Sequence, residues 1–172
     1  MTQQDAIQDA ALEIKPDDYK VWFHRGLTLS DSGRSEEAIA AYDKVLEIKP
    51  DCPEVWYHRG WALSDLGRYE EAIKCYEQAI ALKPDYCTAR YHRGWALSDL
   101  GRYEEAIAAY DKVLEIKPDC PAVLYHRGNA LYTVGRYEEA IAGYDAAINI
   151  RPDYHLARDK RSVVLDKLGR KK

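Results

Sequence analysis

The sequence repeats itself every 34 residues, and this period limits the chain to architectures built from stacked copies of one unit. Five prolines, from Pro16 to Pro152, follow one another at this spacing. Two series of glycines, which begin at Gly26 and Gly33, have the same spacing. The segment 57–73 recurs without change at 91–107. Such identity indicates recent duplication of a unit, or its assembly from a consensus.

Each unit predicts two helices, as the unit 53–86 illustrates. Pro53 suits the first turn of a helix, because that turn does not need its N–H. Gly67 supplies the left-handed residue that ends this first helix. Glu70 lies at the start of the second helix, where a carboxylate favours the positive end of the helix dipole, and Pro84 ends that helix. The unit is therefore expected to form a helix–turn–helix.

The apolar residues of each helix fall three or four positions apart, which is typical of a helix with one buried face. The predicted stripe of the first helix consists of Trp56, Gly60, Leu63 and Leu66. The predicted apolar face of the second helix consists of Ala72, Ile73, Tyr76, Ala79 and Ile80. Neither helix can bury its face alone, so neighbouring units must stack into a solenoid. Gly60 and Ala72 are small, which lets the two helices approach to roughly 8–10 Å.

The order of these residues, with a tryptophan followed by Gly60, Leu63, Ala72 and Tyr76, resembles the tetratricopeptide repeat family. The resemblance covers four repeats, 19–52, 53–86, 87–120 and 121–154. It implies an all-α, right-handed superhelical solenoid of antiparallel helix pairs. In that family the first helix of each pair, here termed the A helix, forms the concave inner wall, and the second is termed the B helix. One departure from the family pattern is an arginine, such as Arg59, where the family often has leucine.

Both ends of the sequence align with parts of a further repeat. Residues 155–172 correspond to one more A helix, which is more polar than the others and suits a capping helix, followed by a short basic tail. Residues 1–18 correspond to the end of a preceding B helix, within 5–15, and a turn. We therefore expect the sequence to be either an excised fragment or a designed chain.

Residues three or four apart share one face of a helix, and Tyr57, Trp61 and Asp65 define a face of their A helix that differs from its apolar stripe. We predict that this face lines a groove that binds a protein or an extended peptide. The predicted groove residues are Phe23, His24, Leu27, Ser30 and Asp31; Tyr57, His58, Trp61, Ser64 and Asp65; Tyr91, His92, Trp95, Ser98 and Asp99; and Tyr125, His126, Asn129, Tyr132 and Thr133.

The chemistry of this face favours a peptide with aromatic, proline or basic side chains. Tyrosine and tryptophan are common anchors of interfaces, and rings beside a carboxylate attract lysine or arginine. Two alternatives remain: Trp61 and Trp95 pack between helices, and the repeated aspartates stay solvated or pair with the arginine of their own repeat. Some family members hold acidic carboxyl-terminal tails with basic clamps, and Asp65 and its counterparts disfavour that mode.

One histidine recurs at the same A-helix position in four repeats, at His24, His58, His92 and His126. Zinc–nitrogen bonds of about 2.0–2.1 Å are far shorter than the spacing of stacked helices, so no metal site is expected. We prefer four separate, hydrogen-bonded surface histidines over a column that titrates together near a pKa of about 6.5. Phosphate-binding loops and nucleophile motifs are absent from the sequence. We predict a protein that is not an enzyme and needs no cofactor.

The net charge of −4 argues against a nucleic-acid partner, and no apolar run reaches the ~20 residues of a membrane span. The four cysteines form no Cys-x-x-Cys pair, which favours free thiols and a cytoplasmic location. As an alternative to peptide binding, nearly identical repeats allow the chain to associate with itself, end to end.

Overall fold

The structure is a computed structural model, and it describes residues 19–169. This part of the chain forms nine helices and no strand, which confirms the all-α prediction. The A helices are α1 (Tyr19–Asp31), α3 (Pro53–Asp65), α5 (Cys87–Asp99), α7 (Pro121–Thr133) and α9 (His155–Lys167). The B helices are α2 (Ser35–Ile48), α4 (Tyr69–Leu82), α6 (Tyr103–Ile116) and α8 (Tyr137–Ile150). The predicted partial B helix at the start and the basic tail lie outside the described residues.

Each helix packs against the next one along the chain, so the stack is a solenoid. The backbone of each A helix also comes within 8 Å of the next A helix, whereas the backbones of the four described B helices do not approach one another so closely. Since the A helices lie closer together, the stack curves with the A helices on its inner side. No helix between residues 19 and 169 is long and apolar enough to cross a membrane.

The turn between the two helices of a unit is made by glycine and arginine, as predicted. Gly67 has a φ of 72°, a left-handed conformation that glycine adopts without steric cost. The N–H of Arg68 then donates to the carbonyl of Leu63 at 2.9 Å. The Arg68 guanidinium binds both carboxylate oxygens of Glu71 at 2.7 Å. The chain thus reverses within a few residues, and the B helix lies antiparallel to its A helix.

In each of the four repeats, a glycine of the A helix receives the ring of a tyrosine from the B helix. A Cβ atom on Gly60 would lie 2.7 Å from Cε1 of Tyr76 and 3.2 Å from the carbonyl oxygen of Ala72. Tyr76 has no exposed surface, so its ring has no room to move away. The corresponding pairs in the other repeats are Gly26–Tyr42, Gly94–Tyr110 and Gly128–Tyr144. Glycine is therefore required here for close packing.

The stripe predicted for the first helix is partly wrong. Leu66 is 39% exposed, because α3 ends one residue before it and Leu66 belongs to the turn. Trp56 is only half-buried, whereas Val55 and Ala62 are buried although neither was predicted. An A helix lies between two B helices, so it buries two rows of residues and not a single stripe. The face predicted for the B helix is buried except for Ile80, which is half-buried.

In α3, α5, α7 and α9, the arginine that departs from the family pattern joins the A helix to the preceding B helix. Nε of Arg59 lies 2.7 Å from Oδ1 of Asp43, and the same pairing recurs between Arg127 and Asp111 at 2.5 Å. Arg93 pairs with Glu77 at 2.8 Å. The alternative in which these arginines pair with an aspartate of their own repeat is therefore wrong.

Replacement of Gly60 by alanine tests the close contact. Alanine favours a helix over glycine by roughly 0.5–1 kcal/mol, but its Cβ would overlap the ring of Tyr76. Such overpacking costs about 1–3 kcal/mol, so we expect Gly60→Ala to lower the free energy of unfolding in urea. Gly143→Ala is the matched control, because the equivalent residue one repeat earlier is Ala109. Its Cβ would lie 3.3 Å from the Leu124 carbonyl oxygen, a contact that a shift of a few tenths of an ångström relieves, whereas the Cβ of Gly60→Ala would overlap a buried ring. Equal stability of the two variants would contradict the account.

Candidate functional site

The inner wall carries a concave pocket of about 250 Å³ between α3, α5 and α7. The predicted groove residues that line it are Trp61, Ser64, Asp65, Tyr91, His92, Trp95 and His126. Tyr76, from a B helix, also lines the pocket although it was assigned to the core. Its ring reaches the inner wall because Gly60 leaves room for it. Residues that helical periodicity places on one face of each A helix therefore line a common cavity in the middle of the solenoid.

The two tryptophans of the pocket combine packing with exposure. Trp61 is 41% exposed, yet its ring lies 4.7 Å from that of His92 on the next A helix. The ring of Trp95 is half-buried and meets Tyr69 edge-on at 6.1 Å. Each indole is therefore held in place by a neighbour while part of it remains accessible. For both tryptophans, packing between helices and exposure in the groove were predicted as alternatives, and the structure shows both.

Two tyrosines that were predicted to face the groove lie instead in the core. Tyr57 is 7% exposed and Tyr125 is 8% exposed. Each is covered by a tyrosine from the loop that leads to the next A helix. Tyr86 lies 5.5 Å from Tyr57, and Tyr154 lies 5.4 Å from Tyr125, between ring centroids. These positions were judged from one helix alone, whereas the covering residue comes from the following repeat.

In the other two repeats a cysteine replaces this loop tyrosine. The aromatic ring equivalent to Tyr57 is more exposed there. Cys120 precedes α7 and lies near Tyr91, which is half-buried and lines the pocket. Cys52 precedes α3, and the corresponding Phe23 is likewise half-buried. A thiol covers less of a ring than a phenol does. The alternation of cysteine and tyrosine at 52, 86, 120 and 154 is the sequence signal that marks the open ring.

Two polar groove residues hold tyrosines in place. Ser64 is 5% exposed, and its hydroxyl lies 3.1 Å from the Tyr76 hydroxyl. Oδ1 of Asn129 accepts a hydrogen bond from the Tyr144 hydroxyl at 2.9 Å. The hydroxyl of Ser98 donates to a backbone carbonyl of its own helix at 3.0 Å. Ser64 in particular is a buried positioning residue and not part of the accessible surface.

The other predicted groove residues lie on the same inner wall, outside the pocket. Asp99 is exposed and hydrogen-bonds Tyr69. Leu27 is half-buried and Asp31 is exposed, both on α1, and Tyr132 is half-buried on α7. Their contact with a peptide stays a prediction.

Three of the four repeated histidines are packed among aromatic rings, so the expectation of separate surface histidines is wrong for them. The ring of His92 lies 5.6 Å from Tyr57 and 5.0 Å from Tyr91. His58 and His126 are half-buried in equivalent surroundings, with centroids 5.6 Å from Phe23 and Tyr91 respectively. Only the first member of the series, His24, is exposed. The difference arises because each packed histidine rests on the A helix of the repeat before it.

Burial keeps these histidines neutral. Desolvation lowers the pKa of His92 to about 4, and the nearby His126 contributes to this. Desolvation also lowers the pKa values of His58 and His126, against a smaller opposing effect of Asp31 and Asp99 respectively. At neutral pH the pocket therefore carries no positive charge from its imidazoles. Within residues 19–169 no group of three or more His, Cys, Asp or Glu side chains could hold a metal ion.

The lowered pKa of His92 predicts acid sensitivity. Between pH 6.5 and 4 the unfolded chain binds a proton that the folded chain excludes, so stability falls as pH falls. Comparison of urea unfolding at pH 8 and pH 5 should show that His92→Gln loses roughly 1–2 kcal/mol less than the wild type. His24→Gln, at the exposed member of the series, should behave like the wild type. If all three proteins lose the same amount, His92 is not the cause.

Comparisons with known proteins agree with this architecture. A family model of the tetratricopeptide repeat matches four overlapping segments, 4–53, 23–86, 57–121 and 93–155. No curated protein matches the sequence.

Solved structures similar to this chain include several of MamA. A MamA fragment from Desulfovibrio magneticus RS-1 is 21% identical, with 90% of this chain and 87% of that chain covered and a TM-score of 0.85. Another MamA crystal structure is 26% identical over 84% of both chains, with a TM-score of 0.80. These likenesses concern the fold, and the family model spans most of the sequence. The chain belongs to the tetratricopeptide repeat family.

Proposed function

We propose that the chain is a scaffold that binds an extended segment of a partner protein along the inner wall of its A helices. The observation that carries this proposal is the pocket between α3, α5 and α7, in which Trp61 and Trp95 pack against neighbouring rings and remain partly accessible. Rigid aromatic side chains lose little conformational freedom on binding and often dominate interface energies. The pocket volume of about 250 Å³ suits one side chain rather than a drug-sized molecule.

The composition of the pocket favours binding over catalysis. Its histidines are desolvated and packed between rings, and its serine is engaged with Tyr76. A general base or nucleophile needs a proton or a substrate within hydrogen-bond reach, which these positions do not favour. We therefore propose a non-enzymatic role that requires no cofactor.

A cytoplasmic location is part of the proposal. Cys52, Cys75, Cys87 and Cys120 are all free thiols. Free thiols persist most readily where the cell keeps a reducing environment.

Loss of both tryptophans should weaken peptide binding strongly. Trp61→Asn/Trp95→Asn copies Asn129, which occupies the same position in α7, so the fold should tolerate it. Peptides selected on the wild type from a displayed random library should bind this double variant about 10- to 100-fold more weakly, since buried tryptophan anchors are worth 2 kcal/mol or more. Affinities would be measured by fluorescence anisotropy, with helical content checked by circular dichroism.

Trp56→Leu is the matched control, because it copies Leu124 of α7 and removes a tryptophan outside the pocket. It should leave the affinity unchanged. Equal binding by the double variant and the wild type would contradict the proposal. If no groove-dependent peptide is selected and the sedimentation coefficient rises with protein concentration, end-to-end self-association becomes the better account.

A further inference from the structure

The central pocket has rings on its sides and a carboxylate at its rim, and no lysine or arginine lines it. Trp61, Tyr91 and Trp95 present aromatic surface, and Asp65 supplies the negative charge. Because burial lowers the pKa values of His92 and His126, they add no positive charge at neutral pH. The lining is therefore electrostatically suited to a cation and unsuited to a carboxylate.

The carboxylate of Asp65 is available to a ligand. Partial burial raises the pKa of Asp65, and a hydrogen bond from Trp61 opposes this effect. Among residues 19–169 it takes part in no ion pair, in contrast to Asp43 and Asp111, which are paired with arginines. A carboxylate that has lost part of its water gains more from an incoming cation than a fully hydrated one does.

The same wall already holds a lysine of this chain. Nζ of Lys167 lies 5.2 Å from the ring centroid of Tyr132 and 4.8 Å from that of Tyr137. A hydrogen bond with Tyr137 raises the pKa of Lys167, which favours the charged form of the lysine. Two 34-residue periods earlier in the sequence, Asp99 stands at the position of Lys167 and Ser64 of the pocket stands at the position of Tyr132. The inner wall can therefore seat an ammonium group between two of its rings.

We propose that the pocket selects a lysine or arginine side chain from the bound segment, with its charged group between Trp61 and Trp95 and beside Asp65. This inference rests on the proposed function and identifies which of the aromatic, proline and basic classes the pocket recognises. Arginine or lysine over a tryptophan ring gains more as water is removed. The packed histidine beneath Trp61 keeps that ring in position for the contact.

A synthetic peptide tests the inference directly. A polyproline II helix has three residues per turn and rises about 3.1 Å per residue, so a lysine at every third position repeats at about 9 Å. The probe is acetyl-(Lys-Pro-Pro)4-amide at pH 7, compared with versions that carry norleucine, glutamate or arginine in place of lysine. Affinities would be measured by isothermal titration calorimetry.

We expect the lysine or arginine peptide to bind at least about 10-fold more tightly than the norleucine and glutamate peptides. Asp65→Asn should weaken this binding about 5- to 10-fold, since it removes the charge at nearly constant shape. Asp51→Asn removes the same charge from an exposed loop outside the pocket, and it should change the affinity less than about twofold. This control separates the pocket from general attraction by the net charge of −4.

Three results would overturn the inference: no binding of either cationic peptide, equal binding of the norleucine peptide, or equal effects of Asp65→Asn and Asp51→Asn. These results differ from a failure of the proposed function. If library-selected peptides without basic residues still lose affinity on Trp61→Asn/Trp95→Asn, the groove binds peptides but does not select a cation.

Discussion

The contact between a glycine of the A helix and a tyrosine of the B helix, made once in each of the four repeats, is the constraint on which the rest of the structure depends. The ring of Tyr76, for example, fills the space that a side chain on Gly60 would take. This contact sets how closely the helices of one repeat approach each other. It also carries the ring through to the inner wall, where Tyr76 lines the central pocket. The packing of the core and the composition of the groove are therefore linked through one residue pair.

Small differences between nearly identical repeats make the inner wall of this regular stack uneven and leave a pocket at its middle. Tyr86 and Tyr154 cover the inner-wall tyrosines of two repeats. Cys120 leaves Tyr91 more exposed between them. The aromatic wall is continuous in sequence, but its accessible part is concentrated at the middle of the solenoid, where the two groove tryptophans also lie.

The sequence alone predicts the helices and their turns, because these features depend on contacts within one repeat. It also predicts most residues that line the pocket, because helical periodicity places them on one face of successive A helices. The left-handed turn at Gly67 and the close approach at Gly60 follow from local rules for glycine. The burial of Tyr57 and the packing of His92 were missed, since each depends on a neighbouring repeat. The outward position of Leu66 was missed because the helix ends one residue earlier than the periodicity suggests.

The central claim is that the inner wall of the A helices is the binding surface, and its four tryptophans allow a direct measurement. Trp61 and Trp95 line the pocket, whereas Trp56 donates its indole N–H to the Pro50 carbonyl at 2.8 Å and Trp22 lies against Arg25. The indole N–H resonances of ¹⁵N-labelled protein would be followed during titration with the tightest peptide from a random library. The account predicts that the signals of Trp61 and Trp95 shift while the other two do not. Shifts confined to Trp22 and Trp56 would contradict it.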